Sequence, residues 1–210
     1  MNNILILAFL FFAGCLIGWG IEVIFRRFEP SNKARKWINP GFLIGPYLPL
    51  YGFGLCTLYL LAGLEKFIHT DNTALQKFIL FLLMAIAMTV IELIAGEIFI
   101  VKMHVKLWDY TGNKFNYKGI ICPLYSLIWA ALGAVYYFFI HPYILDALNW
   151  LANNLAFSFF IGFFYGVFAI VLFYSLKLAE KIKTFAEEND MVIRYEEFKR
   201  HIRESSEERK

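Results

Sequence analysis

The sequence predicts an all-α membrane protein with five transmembrane helices, from its composition and from the spacing of its charged residues. Of its 210 residues, 60% are hydrophobic, 19% are aromatic and only 18% are charged. An average soluble domain is about a quarter charged. The composition therefore excludes a disordered chain, a disulfide scaffold, a nucleic-acid-binding domain and an ordinary cytosolic enzyme. The charges are also segregated, because nearly half of them follow Lys177.

Long apolar stretches separate the charged clusters, and each has about the length of a bilayer-spanning helix, roughly 20 residues. The stretches predicted to span are residues 4–25, 47–64, 78–101, 119–140 and 155–176. Proline and glycine crowd the start of the second stretch, which leaves open whether it spans the membrane or is re-entrant. This division predicts a transmembrane bundle over residues 1–177 and a charged, helical cytosolic tail over residues 178–210.

Lysine and arginine gather in the loops of one side. Residues 26–46, residues 102–118 and the tail are basic, whereas residues 1–25 and 141–154 contain neither lysine nor arginine. Because cytoplasmic loops carry an excess of these residues, we predict a multi-pass protein of the cell membrane with its N-terminus outside and its C-terminus in the cytosol. The net charge of +3 then reflects topology and not a nucleic-acid partner. The three cysteines have no metal or redox spacing, so we expect neither a metal nor a cofactor.

The first 140 residues contain the same order of motifs twice. Each half has a glutamate in a helix, a basic loop, an asparagine shortly followed by glycine, and a Pro-Leu-Tyr start to the next helix. The paired residues are Glu22 and Glu92, Asn39 and Asn116, Gly41 and Gly119, Pro49 and Pro123, and Tyr51 and Tyr125. This order predicts a parallel internal repeat of helix pairs. The alternative is that proline, glycine and tyrosine gather at membrane interfaces in any case.

Two glutamates within the predicted spans are the candidates for a functional site. An ionised carboxylate at the depth of Glu92 costs at least ~2.5 kcal/mol, so it is protonated, paired or hydrated. Glu22 lies near the cytosolic end and can pair with Arg26, one helical turn on. For Glu97 we expect snorkelling or a pair with Lys102. The predicted substrate path or polar core consists of Glu22, Glu92, Asn39, Asn116, Asp109, Tyr51 and Tyr125. The alternative for Glu92 is a purely structural hydrogen bond.

Small residues and interfacial residues form two further sets. Glycines spaced by about one turn let a neighbouring helix approach closely. The predicted packing positions are Gly14, Gly18, Gly96, Gly162 and Gly166. Aromatic residues, proline and glycine at the helix ends are typical of the headgroup level. The predicted interface motif consists of Trp37, Gly41, Gly45, Pro46, Pro49, Trp108, Tyr110 and Gly119. These residues form either turns that set helix tilt or a docking and gating element.

Several of these motifs resemble a known bacterial family, the CmpB-like permeases named Putative ABC-transporter type IV. The likeness is carried by Gly18-Trp-Gly-Ile-Glu22, by residues 39–54, by Glu92, by Trp108-Asp109-Tyr110, and by Gly119, Cys122, Ser126 and Trp129. It covers about residues 10–142 and departs at Pro40, where the family commonly has arginine. The resemblance implies a multi-pass permease, and it brings no substrate or catalytic residue.

Three functions stay open. The first is the membrane subunit of a transporter, which depends on a separate ATPase because the chain has no Gly-x-x-x-x-Gly-Lys-Ser/Thr phosphate loop. The second is a non-catalytic scaffold or regulator of another membrane protein. The third is a membrane-embedded enzyme that uses the carboxylates and Asp109 on a lipid substrate, although no nucleophile or metal motif supports it. The expected partners are the lipid bilayer, an ATPase or other membrane protein, and a second copy of the chain in a homodimer.

Overall fold

The computed structural model describes residues 2–29, 32–188 and 193–194. The α-helices within these ranges are α1 (Asn3–Phe28), α2 (Pro49–Ala62), α3 (Thr73–Gly96), α4 (Pro123–Val135), α5 (His141–Asn153) and α6 (Ser158–Glu188). Short 3-10 turns cover Glu65–Phe67 and Leu155–Phe157, and π-helical turns cover Glu97–Lys102 and Tyr136–Ile140. The two-residue strands β1 (Val105–Lys106) and β2 (Ile193–Arg194) pair in parallel. The prediction of an all-α fold is confirmed.

Four helical stretches of the described chain are long and apolar enough to cross a membrane. They are Asn3–Phe28, Thr73–Lys102, Pro123–Asn153 and Leu155–Glu180. These stretches correspond to four of the five predicted spans. The second predicted span holds α2, which has 14 residues and is therefore about 21 Å long. Because the hydrocarbon core is about 30 Å thick, α2 alone is too short to cross it, and the count of five spans is not confirmed.

Asparagine and proline mark where the helices begin. Asn2 and Asn72 cap α1 and α3, since their side-chain oxygens accept hydrogen bonds from backbone N–H groups of the first turn. Pro49 and Pro123 occupy the first turns of α2 and α4. Proline is favoured there because its missing N–H would have no partner within the helix. The Pro-Leu-Tyr motifs thus start one helix in each half of the chain.

The first hairpin of the bundle consists of α1 and α2, which run antiparallel in close contact. A Cβ atom added to Gly14 would lie 2.8 Å from the Cα atom of Gly52, and Gly18 lies directly against the side chain of Tyr51. Further along α2, the Sγ atom of Cys56 lies 3.4 Å from a carbonyl oxygen nearer the start of α1. Glycine therefore lets these two backbones approach each other, and Gly14 and Gly18 lie at this contact.

The second hairpin consists of α3 and α4. The hydroxyl of Thr89 donates to the hydroxyl of Ser126 across the two helices at 2.9 Å. The hairpins contact each other where Gly54 of α2 faces the side chain of Met88 in α3. Gly96, at the end of α3, packs against the loop before α4 and not against another helix. The small residues of this hairpin thus serve helix contact and loop contact alike.

The irregular segment 41–48 packs against α6, which also contacts α1 through aromatic rings. Tyr47 lies edge-on against two phenylalanine rings of α6. Leu43 is fully buried, and the backbone N–H of Ile44 donates to the hydroxyl of Ser175 at 3.2 Å. Non-helical backbone is tolerated at membrane depth only where protein or water surrounds it. This segment meets that condition because it is covered by α6.

The glycine stripe of α6 does not pack as predicted. A Cβ atom at Gly162 or Gly166 would meet no atom within 4 Å, so in the described chain no helix covers these positions. The reason is that α6 packs through its opposite face, where Phe164 and Phe168 contact aromatic rings of α1. The predicted role of the two glycines inside the bundle is therefore wrong.

The predicted boundary between bundle and tail falls inside α6, which continues unbroken from Ser158 to Glu188. Beyond it, β2 lies beside β1 of the loop before α4. Residues 189–192 and 195–210 lie outside the described residues, and with them most of the predicted tail. The division at residue 177 stays a prediction.

Candidate functional site

A cavity of about 550 Å³ lies at the end of the bundle where α1 and α3 end and where α2 and α4 begin. Its walls come from α1, α4, the first turn of α2 and the loop before α4. The polar and aromatic side chains that matter most are Glu22, Arg26, Tyr51, Asp109, Tyr110 and Trp129. Its volume is in the range of sites that bind small molecules.

Glu22 lines the cavity and has a charged partner. One carboxylate oxygen accepts a hydrogen bond from Nε of Arg26 at 2.9 Å, and the other accepts from the hydroxyl of Tyr51 at 2.9 Å. Residues four positions apart lie on one face of a helix, which explains the pair. Arg26 also reaches the carbonyl oxygen of Leu107 at 3.5 Å, so it connects α1 to the loop before α4. The predicted pair of Glu22 with Arg26 is confirmed.

Glu92 is surrounded by neutral donors. It is only 4% exposed. One carboxylate oxygen accepts from the hydroxyl of Tyr110 at 2.7 Å and the other accepts from Nε1 of Trp129 at 3.1 Å. In the described chain, no lysine, arginine or histidine forms a salt bridge with it. Buried carboxylates need hydrogen-bond donors or a counter-ion, and here two aromatic donors fill that need.

Only one of the two glutamates lines the cavity. Glu22 lines it directly, whereas Glu92 lies behind Tyr110 and Trp129, which do line it. Tyr125 stacks on Tyr110, with ring centroids 4.0 Å apart and an angle of 12° between the ring planes. In the first half of the chain the tyrosine of the Pro-Leu-Tyr motif bonds the glutamate, but in the second half it supports another tyrosine that does so. The internal repeat is therefore not confirmed.

Asp109 is held in the loop before α4 by local contacts. Its carboxylate lies 2.8 Å from Nζ of Lys106, and it accepts from the hydroxyl of Thr111 at 2.7 Å and from the Thr111 N–H at 3.0 Å. Burial works to raise the pKa of Asp109, but the hydrogen bonds from Lys106 and Thr111 outweigh it and lower the pKa to about 2. Asp109 is therefore a charged anchor at neutral pH, which argues against a role as a general base.

The asparagines of the predicted path support loops instead. Asn39 accepts from Nε1 of Trp19 at 2.7 Å and donates to the carbonyl oxygen of Ile44 at 2.9 Å. Asn116 donates to loop carbonyls, and its side-chain oxygen accepts from the N–H of Gly119 at 2.9 Å. Neither asparagine lines the cavity. Short amide side chains bond most readily to nearby backbone, and a role of these asparagines in a substrate path stays a prediction.

The predicted interface motif divides into four groups. Gly41 and Gly119 have φ angles of 76° and 70°, which favour glycine, and Gly45 contacts the ring of Tyr47. Trp37 is exposed, and the guanidinium of Arg27 lies 4.2 Å from the centre of its ring. Of the two prolines of the motif, Pro46 precedes α2 and Pro49 starts it.

Two aromatic residues of the same motif turn inward. Trp108 donates from Nε1 to the carbonyl oxygen of Ile120 at 2.8 Å and lines the cavity. Tyr110 reaches Glu92, so neither side chain serves as a simple headgroup anchor. The expectation for Glu97 is corrected as well, since it pairs with Lys118 at 2.8 Å and not with Lys102.

A second polar cluster lies at the opposite end of the bundle, and sequence reasoning missed it. The Glu65 carboxylate forms hydrogen bonds with Nζ of Lys77 and with the hydroxyl of Tyr137, and His141 stacks on the Tyr137 ring. No local sequence signal connects these residues, because their partners come from different helices. Among the described residues, no three His, Cys, Asp or Glu side chains come together as a metal site requires.

Membrane-length apolar helices around a polar cavity define a multi-pass membrane protein. The family described as Putative ABC-transporter type IV matches residues 9–176. This match covers well over half of the chain, so the protein belongs to that family, as the motifs indicated. No curated protein and no solved structure shows a match.

Proposed function

We propose that this protein is the permease-like membrane subunit of a transporter, that it depends on a separate ATPase, and that the cavity binds the transported substrate. The observation that carries the proposal is a single polar cavity bordered by Glu22 and by both donors to Glu92. Membership of an ABC-transporter-type family supports it. The chain has no phosphate loop of its own to bind ATP, which is why we propose a partner.

The proposed topology has five crossings. In it, α2 crosses the membrane together with the buried segment before it and the 3-10 turn after it, so the N-terminus is outside and the cavity faces the cytosol. The antiparallel contacts of α2 with α1 support this path. The loops 29–40 and 103–122 then lie in the cytosol, where they are available to dock the ATPase. Residues 178–210 form a cytosolic tail.

The proposed transport step moves the two hairpins against each other. The cavity lies at one end of the bundle, whereas the contacts of Glu65 with Lys77 and Tyr137 join the two hairpins at the other end. Substrate enters beside Glu22, and breaking the Glu65 contacts lets it leave on the far side. Such rocking of helix units around a central site is a common solution for transporters. Glu92 takes part because its neutral donors also line the cavity.

Transport in reconstituted vesicles tests this function. The full chain is purified in mild detergent with any ATPase that accompanies it, and ATP-stimulated uptake is compared between the native chain and Glu92→Gln. We expect an ATPase to co-purify and uptake to be lost in Glu92→Gln. The matched control is Glu97→Gln, which makes the same chemical change outside the cavity and should leave uptake intact.

The same experiment can overturn the proposal. Purification without any ATPase, together with a normal cellular phenotype for Glu92→Gln, contradicts a transport role for the cavity. If removal of residues 189–210 then abolished the normal phenotype, a scaffold or regulator would be favoured. A homodimer also stays a prediction, and cross-linking through cysteine at Gly162 or Gly166 on the uncovered face of α6 tests it.

A further inference from the structure

We infer that the cavity binds an organic cation, a small molecule or lipid headgroup that carries a primary or quaternary ammonium group. This inference deepens the proposed function by naming its substrate class. The binding itself needs no ATPase, so it can be tested apart from transport. The hydrogen-bonding groups that the cavity walls still offer, once their own internal bonds are made, favour such a ligand.

The indole N–H groups of the cavity are already used. Trp108 donates to the carbonyl oxygen of Ile120 at 2.8 Å, and Trp129 donates to Glu92 at 3.1 Å. An indole has no acceptor and only this one donor. Both tryptophans therefore offer a ligand the π face of the ring and no further hydrogen bond. The π face carries partial negative charge and attracts cations.

Two of the three tyrosines that line the cavity are in the same condition. Tyr51 donates its proton to Glu22 at 2.9 Å, and Tyr110 donates to Glu92 at 2.7 Å. A phenol has one proton to donate, and its oxygen keeps the ability to accept. These hydroxyls can therefore accept from a ligand N–H but cannot donate to a ligand anion. The carboxylates thereby orient both tyrosines as acceptors.

The charges that line the cavity favour a cation too. Arg26 forms an ion pair with Glu22, and Lys106 forms one with Asp109. Glu29 is a third carboxylate among the lining residues, so the carboxylates outnumber the cationic side chains of the lining by one. An anionic ligand would compete with Glu22 and Asp109 for these same cations, whereas a cationic ligand leaves both pairs in place. Opposite charge in a low-dielectric cleft raises the local concentration of a ligand.

Aromatic walls and volume complete the match. Tyr125 stacks on Tyr110, so the pair presents an extended aromatic surface, and Trp108 and Trp129 line the same cavity. Aromatic cages of this kind recognise quaternary ammonium groups through cation–π attraction. A cavity of about 550 Å³ has room for such a group with its organic remainder, and apolar side chains of α1 and α4 border it.

Binding of choline to the purified full chain tests the inference. Isothermal titration in detergent compares choline with its neutral carbon isostere, in which a tert-butyl group replaces the trimethylammonium group. Inorganic phosphate serves as the anionic probe. We expect choline to bind about tenfold more tightly than the neutral isostere and phosphate not to compete.

Two variants locate the site. Tyr125→Leu removes an aromatic face that makes no hydrogen bond to Glu92, and we expect it to weaken choline binding about tenfold. Phe163→Leu makes a comparable change on the exposed face of α6 and should bind choline as the native chain does. Equal binding of choline and its neutral isostere, preference for phosphate, or loss of binding in both variants alike overturns the inference.

Nanodiscs separate the two sources of ammonium. If phosphatidylethanolamine in the disc competes with added choline but phosphatidylglycerol does not, the ligand is a lipid headgroup. If neither lipid competes, the ligand is a free cation. Choline binding without ATP-stimulated transport contradicts only the proposed transporter function. Transport of an anion contradicts only the inference that the ligand is a cation.

Discussion

The two hairpins carry a glutamate at the same end of the bundle but balance it differently. Glu22 has a charged partner in Arg26, and both side chains keep some contact with solvent, with exposures of 19% and 17%. Glu92 is almost fully buried and has only Tyr110 and Trp129 as donors. The comparison therefore distinguishes Glu22, a carboxylate on the cavity wall that an ion pair holds, from Glu92, a carboxylate behind the wall that neutral donors hold.

The loops of the hairpins differ in the opposite sense, because the charged pair lies in the second hairpin. The loop of the first hairpin is supported by the uncharged amide of Asn39. The loop of the second is supported by the charged pair of Asp109 and Lys106. Charge thus lies in the helix of one hairpin and in the loop of the other. If this distribution governs stability and the response to pH, equivalent substitutions in the two hairpins should have different effects.

The largest effect is expected at the contact between α1 and α2. In Gly14→Ala the new Cβ would meet backbone of α2 at 2.8 Å, and backbone cannot rotate away. We expect the variant to lower the free energy of unfolding by about 3 kcal/mol. Gly20→Ala is the matched control on the same helix, because a Cβ there meets no atom within 4 Å. Thermal unfolding in detergent measures both.

In the second hairpin, the same substitution at Gly133 meets the side chain of Met84 at 3.0 Å. The nearest atom is the Cβ of Met84, which lies farther away than the backbone atoms at Gly14, and the Met84 sulfur at 3.2 Å can move aside. We therefore expect Gly133→Ala to lower the free energy of unfolding by about 1 kcal/mol. Equal losses for Gly14→Ala and Gly133→Ala would show that the hairpins do not differ in how closely their backbones pack.

The next effect concerns the two carboxylates. Glu22→Gln removes the charge that balances Arg26 in a mostly buried place, and we expect a loss of about 2 kcal/mol in unfolding free energy. Glu92→Gln keeps an acceptor for Trp129 and should cost less than about 1 kcal/mol. Chemical unfolding of the purified chain checks both values. The double variant Glu22→Gln/Arg26→Gln should recover part of the loss, and a strictly additive result argues against the ion pair as its cause.

A smaller effect is expected for the tyrosine donors. Tyr110→Phe leaves Glu92 with a single donor, and we expect a loss of about 1.5 kcal/mol in unfolding free energy. Tyr51→Phe leaves Glu22 bonded to Arg26 and should cost about half as much. The pair of variants is compared by the same unfolding measurement. A larger loss in Tyr51→Phe would reverse the assignment of Glu92 as the carboxylate that depends on neutral donors.

The smallest effect is a local response to acid. Because the pKa of Asp109 is lowered from 3.8 to about 2, its contribution to loop stability is complete above pH 3.8 and is lost as the pH falls through about 2. Its size is about 1 kcal/mol. Hydrogen exchange at pH 5 and at pH 2 should show faster opening of residues 106–120 at the lower pH. Residues 36–48, supported by Asn39, should open no faster once intrinsic exchange rates are corrected.

Asp109→Asn provides the control for that experiment. The amide cannot titrate, so the loop should open at the same corrected rate at both pH values. If residues 36–48 respond to acid as strongly as residues 106–120, then general loosening of the bundle causes the effect and Asp109 does not.

Local sequence signals predicted some contacts of the site and missed others. The pair of Glu22 and Arg26 was predictable because four-residue spacing on a helix sets it. The partners of Glu92 were not, since they lie 18 and 37 residues away along the chain. The stripes of α1 and α6 looked alike, yet Gly14 contacts α2 and Gly162 faces outward. Periodicity identifies a face of a helix but does not say which neighbour covers it.

The sequence by itself determined that the chain is helical and membrane-embedded. An apolar run of about 20 residues has few solutions in lipid other than a helix, because every backbone N–H and C=O must find a partner within the segment. Charge segregation and proline placement likewise act locally, so they placed the loops and the starts of α2 and α4.

Only the tertiary structure decided the short length of α2, the partners of Glu92, the loop roles of Asn39 and Asn116, and the cluster around Glu65. Each of these depends on which helices become neighbours and at what height along the bundle. That arrangement results from many weak contacts summed over the whole bundle. No single stretch of sequence contains the sum, and for that reason the cavity emerged only when the hairpins were assembled.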